Sequence, residues 1–274
     1  MVVSSKMIKI LFGVLLGTCV LSHATEALRP VTSPRTSVTF GGIVELRDDV
    51  YSADVRFLTE VAFCKCFSLY SDVSYRFISL QYEVADFEQQ HEILDLRVNG
   101  FNESYLGFKL FPVDYFGFSA SFRFAPGEGS QNERFQRVAI EPLAAYPFSK
   151  HLLLGASLGY YTFIEKNHFQ PGDEIGGQAS FIWKPFYSFE VKRGVQLSYV
   201  FMIRHRVNES QNKNLMYRYQ KMDDAYWGFR MRGEIAYFFK ALPFGYGFGY
   251  EMNRGTLFGF ETGHRAELFL RYEF

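Results

Sequence analysis

The sequence predicts an all-β chain: a closed antiparallel transmembrane β-barrel of about twelve strands, preceded by a cleaved signal peptide. Three observations predict it. About twelve segments alternate apolar and polar residues at the strand period, an apolar leader opens the chain, and aromatic residues make up 19% of the 274 positions. Aromatic side chains suit a pleated surface. A hydrophobic content of 48% excludes a disordered chain. The 29 basic residues only match the 29 acidic ones, without the basic excess of a nucleic-acid binder.

The leader comes first. Lys6 and Lys9 precede an apolar run over residues 10–21, and Ser22-His23-Ala24 offers small residues to a signal peptidase. That run is shorter than the roughly 20 residues a spanning helix needs. Cleavage is expected after Ala24, with Ala27 as the alternative. The predicted organisation is a signal peptide over 1–24, a short N-terminal periplasmic segment over 25–35, and a barrel over 36–274. Thr18 before Cys19 departs from a lipoprotein cleavage box, and Cys19 leaves with the leader. Cys64 and Cys66 remain, a candidate disulfide in an oxidising compartment. Two thiols without a nearby His make a poor metal site, so neither metal nor cofactor is expected.

From Ser37 onward the strands follow in order. Val38, Phe40, Val44 and Leu46 share a face opposite Thr39, Glu45 and Arg47. Ala53, Val55, Phe57 and Val61 oppose Asp54, Arg56 and Glu60; Val73, Tyr75 and Phe77 oppose Asp72 and Arg76. A long fourth segment, 92–111, carries Leu94, Leu96, Val98, Leu106, Phe108 and Leu110 in phase, opposite Arg97 and Lys109. Phe116, Phe118, Phe122 and Phe124 then oppose Arg123, and Val138 and Ile140 oppose Arg137 and Glu141. Leu154, Leu158 and Tyr160 oppose Gly155, Ser157 and Gly159; Phe181 and Trp183 oppose Gln178, Ser180 and Lys184. The last four segments set Tyr199 and Phe201 against Arg204, and Phe229 and Met231 against Arg230, Arg232 and Glu234. They also set Tyr246 and Phe248 against Glu251, and Leu268 and Leu270 against Arg265, Glu267 and Arg271.

A soluble β-sandwich alternates too. Here, however, charge runs along whole strands on one face while Phe, Tyr and Leu crowd the other. Segments of about ten residues fit tilted bilayer-crossing strands, which must close into a ring to pair every backbone group. Connections alternate in length. Short turns fall near 64–66, 112–114, 147–150, 185–188 and 241–243, and longer loops near 80–91, 125–134, 163–173, 206–222 and 253–263. Asp48-Asp49-Val50 is a short connection on the loop side. The stretch 189–194 fits poorly, because a continuous strand would point Arg193 at lipid.

With its leader, its alternating strands and its ending Leu268, Leu270, Tyr272 and Phe274 at every second position, the chain resembles a bacterial outer-membrane β-barrel protein of the porin-like and OmpA-like kind. The resemblance implies an outer-membrane location in a Gram-negative-type cell, long loops outside, and both termini in the periplasm. It implies contact with outer-membrane lipids and lipopolysaccharide. It also implies a transient partnership with the barrel-assembly machinery, which reads the terminal Phe as a targeting signal. No nucleic-acid partner is expected.

The inward face carries the candidate functional residues: Glu45, Arg47, Asp54, Arg56, Glu60, Asp72, Arg76, Arg97, Arg123, Arg137, Glu141, Arg204, Arg230, Arg232, Glu234, Glu251, Arg265 and Glu267. Eight strands give a filled barrel and sixteen an open channel, so about twelve leaves two readings. One is a narrow channel for small hydrophilic solutes, with weak ion selectivity because the signs balance. Gly155, Ser157, Gly159, Gly245, Gly247 and Gly249 would leave it space. The other is a closed structural or surface-interaction barrel plugged by Arg–carboxylate pairs, with the 206–222 loop as its largest polar surface. An outer-membrane hydrolase has less support. No His is followed two residues on by Ser, and Asp48-Asp49, His91-Glu92 and Asp223-Asp224 are the remaining acid–base candidates.

Overall fold

A computed structural model describes residues 28–47, 50–85, 91–101, 104–124, 136–164, 169–170, 172–191, 193–208, 211–212, 227–240, 243–255 and 263–273. The expected signal peptide lies outside them. The strands are β1 (Ser37–Arg47), β2 (Val50–Cys64), β3 (Phe67–Ala85), β4 in two stretches (His91–Phe101 and Ser104–Val113), β5 (Phe116–Phe124) and β6 (Arg137–Ser149). They continue with β7 (Leu152–Phe163), β8 (Glu174–Trp183), β9 (Gly194–Arg206), β10 (Trp227–Phe238), β11 (Phe244–Gly255) and β12 (Gly263–Glu273).

Every strand pairs antiparallel with its sequence neighbours, and β1 pairs with β12 from Ser37↔Glu273 to Arg47↔Gly263, closing a ring of 12 strands. Both stretches of β4 pair along the same side of β3, Tyr105 with Asp72 and Phe101 with Tyr75, so they are one interrupted strand. The fourth segment was expected over 92–111; its ladder with β3 runs on past the rim of β2 to Ala85↔His91, which shortens the loop expected at 80–91. Outside the ring, Phe169–Gln170 pairs with Gln211–Asn212, so two of the long loops meet.

Side-chain period explains the burial pattern. Along β9 the residues from Val195 to Arg204 alternate between partly or fully exposed and buried, and β12 alternates likewise from Arg265 to Arg271. The exposed face carries Phe40, Ile140, Leu158, Ile175, Trp227, Tyr246, Leu268 and other large apolar groups. Such a coat matches lipid rather than water.

The turn-side rim is tightened by irregular backbone. Register shifts fall between Ala62 and Cys64, Leu110 and Val113, and Pro147 and Ser149, where bulges end strand pairing. Cys64 and Cys66 form a disulfide across the first turn. The awkward stretch before β9 resolves simply. Gly194 adopts φ +87°, a left-handed conformation suited to glycine. The strand begins there, and the Arg193 guanidinium lies 4.6 Å from the centre of the Tyr187 ring.

Residues 28–36 lie ahead of β1. From the turn end they enter the bore. The Ala62 N–H donates to Thr36 Oγ1 at 3.0 Å, the Val31 N–H donates to Ser180 Oγ at 3.0 Å, and Leu28 packs with Val200 and Met202 halfway along β9. Apolar Val31, Leu28 and Pro30 find burial there that water beyond the rim does not offer.

Candidate functional site

The bore is the candidate site, and strand register builds its charge pattern. On the arc formed by β10–β12 and β1–β3, acids and bases occupy facing positions: Glu45 with Arg265, Asp54 with Arg76, and Arg232 with Glu251. Their side chains join into one continuous network. Glu45 Oε2 accepts from Arg76 Nη2 at 2.8 Å and from Arg265 Nη2 at 2.9 Å, while Arg76 Nε donates to Asp54 Oδ1 at 2.8 Å. Arg56 Nε donates to Asp72 Oδ1 at 2.8 Å and its Nη1 lies 3.4 Å from Glu267 Oε2. Glu267 also accepts from Arg232, which donates to Glu234 Oε1 at 2.7 Å; Arg271 Nη2 reaches Glu234 Oε2 at 3.2 Å. Arg230 Nη2 donates to Glu251 Oε1 at 2.6 Å. Apart from the half-buried Arg76, these groups are almost fully buried, and burial of a charge is tolerable only with such partners.

The arc from β4 to β9 is built differently. Register sets Arg123 directly opposite Arg137, a like-charge pairing that is unfavourable by itself. Aromatic faces receive these cations: Arg123 lies 5.7 Å from the Phe163 centroid, Arg137 lies 5.5 Å from Tyr105 and 4.9 Å from Tyr161, and Arg204 lies 4.2 Å from Tyr161. The Tyr161 hydroxyl donates to Glu141 Oε1 at 2.6 Å, and Arg204 Nη1 stands 3.8 Å from Glu174 Oε2.

Of the residues expected to line the lumen, Glu45, Asp54, Arg56, Glu60, Asp72, Arg123, Arg137, Arg204, Arg230, Arg232, Glu234, Glu251, Arg265 and Glu267 are buried on the inner face. Arg76 and Glu141 are partly so. The side chains of Arg47, Arg97 and Phe274 lie outside the described ones, as do those of His91 and Glu92 and the whole of Asp48, Asp49, Asp223 and Asp224. Leu268 and Leu270 are exposed on the outer face and Tyr272 is partly so.

One expectation needs correction. The inward glycines do not leave open space, because larger neighbours fill it. A Cβ at Gly249 would lie 2.5 Å from Arg232 Nη2, one at Gly159 would lie 2.5 Å from the Tyr161 hydroxyl, and one at Gly247 would meet the Phe269 ring. Gly155 faces the N-terminal segment itself: its Cβ would lie 2.6 Å from the Val31 carbonyl oxygen.

That segment is the component the alternation could not reveal. Gln178 Nε2 donates to the Arg29 carbonyl at 2.5 Å, and the Arg29 guanidinium lies 5.3 Å from the centre of the Tyr70 ring. Lys109 Nζ stands 3.4 Å from Thr32 Oγ1 and 3.0 Å from both oxygens of Glu60. A cavity opens beside the segment, with Arg29, Thr32, Tyr70, Lys109, Glu141 and Gln178 among its lining residues. Among the described residues, no three His, Cys, Asp or Glu side chains gather as a metal site.

No protein-family model and no curated protein matches this chain. Solved structures do. An outer membrane channel from Pseudomonas putida F1 aligns with TM-score 0.59 and 11% identity, over 92% of this chain and 100% of that one. The NanC porin aligns with TM-score 0.55 and 10% identity, over 86% of this chain and 100% of its own. At such identities the likeness establishes a shared fold: this chain folds as outer-membrane channel barrels do.

Proposed function

We propose that the chain is an integral outer-membrane barrel that acts as a narrow, porin-like channel for small hydrophilic solutes. One observation carries the reading: a closed ring of strands is apolar outside and charged inside. An apolar exterior demands lipid, and a charged interior demands water or partners. The similarity in fold to two outer-membrane channels supports the same reading. In this arrangement the short turns and both termini face the periplasm and the long loops face outward, amid lipopolysaccharide. The ending Leu268, Leu270, Tyr272 and Phe274 serves the barrel-assembly machinery, and Phe274→Ala is expected to lower the assembled fraction in outer-membrane preparations.

Unit conductance of refolded protein in planar bilayers tests the channel. Discrete openings of small amplitude with little preference between cations and anions are expected. Persistent silence would leave the closed barrel, which the continuous Arg–carboxylate network and the occupied bore favour. Hydrolysis of lipid or peptide by the purified protein would displace both readings.

A further inference from the structure

Residues 28–36 touch both arcs of the bore without belonging to either. Val31 packs with Phe111, Leu143 and Ala145 on β4 and β6, and its N–H donates to Ser180 on β8. On the other side the Arg35 N–H donates to Glu60 Oε1 on β2 at 3.3 Å, and Arg35 Nη1 lies 3.5 Å from Glu273 Oε1 on β12. Glu60 serves as the common acceptor, because Lys109 Nζ and Ser68 Oγ, at 2.9 Å, also donate to it.

The attachment is side-chain work. Among the described residues no strand ladder joins 28–36 to the wall; the hydrogen bonds between them are single ones, to Ser180, Gln178, Lys109, Glu60, Glu273 and the Ala62 N–H. The barrel wall is held by continuous ladders instead. A segment held by a few side chains opens at lower free energy than a laddered wall. Gly155 supplies the room in which it sits, since a Cβ there would lie 2.6 Å from the Val31 carbonyl oxygen and 2.8 Å from Val31 Cβ.

We infer that residues 28–36 form the constriction that limits what crosses the bore, seated by Glu60 and by the absence of a side chain at Gly155. The inference rests on the channel reading. Any solute passing the turn-side half shares the cross-section with this segment, so its seating, rather than the average charge of the lining, sets the conductance. Unseating it widens the path while the ring of ladders stays closed.

The test uses the reconstituted full barrel. Gly155→Leu wedges a side chain into the place of Val31, and Gly177→Ala is the control, since a Cβ at Gly177 comes no closer than 3.5 Å to any neighbour. Two readouts are taken: unit conductance in planar bilayers, and the rate at which a bulky maleimide labels Val31→Cys in a mature-chain background in which Cys64 and Cys66 are both replaced by Ser. Gly155→Leu is expected to raise conductance at least twofold and labelling at least tenfold, with Gly177→Ala unchanged in both. Equal conductance and equal labelling in the assembled wild type and Gly155→Leu overturn the constriction. Unchanged conductance with faster labelling overturns it too, provided the wild type conducts. Faster labelling with silence in every form overturns the channel reading and the constriction role together. Should Gly155→Leu fail to assemble, deletion of residues 28–33 leaves every wall residue intact and must give the same rise in conductance.

Discussion

The two arcs of the bore surround the same buried residue type differently. On one, Arg76 faces Asp54 and Arg265 faces Glu45 across the ladder, so these two guanidinium groups meet a carboxylate directly through register. On the other, Arg123 faces Arg137, and the cations rest on Phe163, Tyr105 and Tyr161. The difference teaches that alternation decides which side chains enter the bore but not how they are satisfied there. That second choice belongs to neighbours one strand away.

The comparison can be broken from either side. Glu267→Ala removes an acceptor shared by Arg56 and Arg232 and leaves buried cations under-compensated. A loss of about 3–5 kcal/mol is expected in urea unfolding from vesicles. On the aromatic arc, Tyr161→Leu removes the ring beneath Arg137 and Arg204 and the hydroxyl that donates to Glu141. The same assay should show a smaller loss, about 2 kcal/mol. A larger loss there than for Glu267→Ala would reverse the energetic ranking of the arcs.

Two further substitutions sharpen the contrast. Arg123→Glu gives the aromatic arc an opposite-charge facing pair with Arg137, and a gain of about 0.2–1 kcal/mol is expected; thermal melting followed by heat-modifiable gel mobility reads it. Gly233→Ala has the smallest effect. A Cβ there meets nothing within 4 Å, so reduced freedom of the unfolded chain should stabilise the barrel by about 0.5 kcal/mol. Destabilisation would mean that the outer face near Gly233 is tighter than its geometry shows.

Much of the wall was legible in the sequence. Strand alternation placed Arg56, Glu234 and Glu267 on the inner face and Phe40, Leu158 and Leu268 on the outer one, because a period of two leaves each side chain only two directions. The turns near Cys64 and Lys150 were legible too. The contents of the bore were not. Residues 28–36 carry no alternation, and their place follows from contacts with Ser180 and Gln178 nearly 150 positions away. The inward glycines misled for a related reason: a missing side chain records room, while the sequence does not say whether water, Arg232 or Val31 takes it. Lys109 falls in the inward phase of its strand, yet its role as a second donor to Glu60 beside the Arg35 N–H required the fold.

The seam between β1 and β12 ties these matters to the order of assembly. Ser37 pairs with Glu273, so the wall closes only once β12 has been made, and bringing such distant partners together is slow. Arg35 lies just ahead of that seam and reaches the same Glu273. A chain lacking β12 would therefore expose two unpaired strand edges, an invitation to aggregation, and would lose the Glu273 partner of Arg35 in the same stroke. Ring closure and the outermost anchor of the bore segment share a last step.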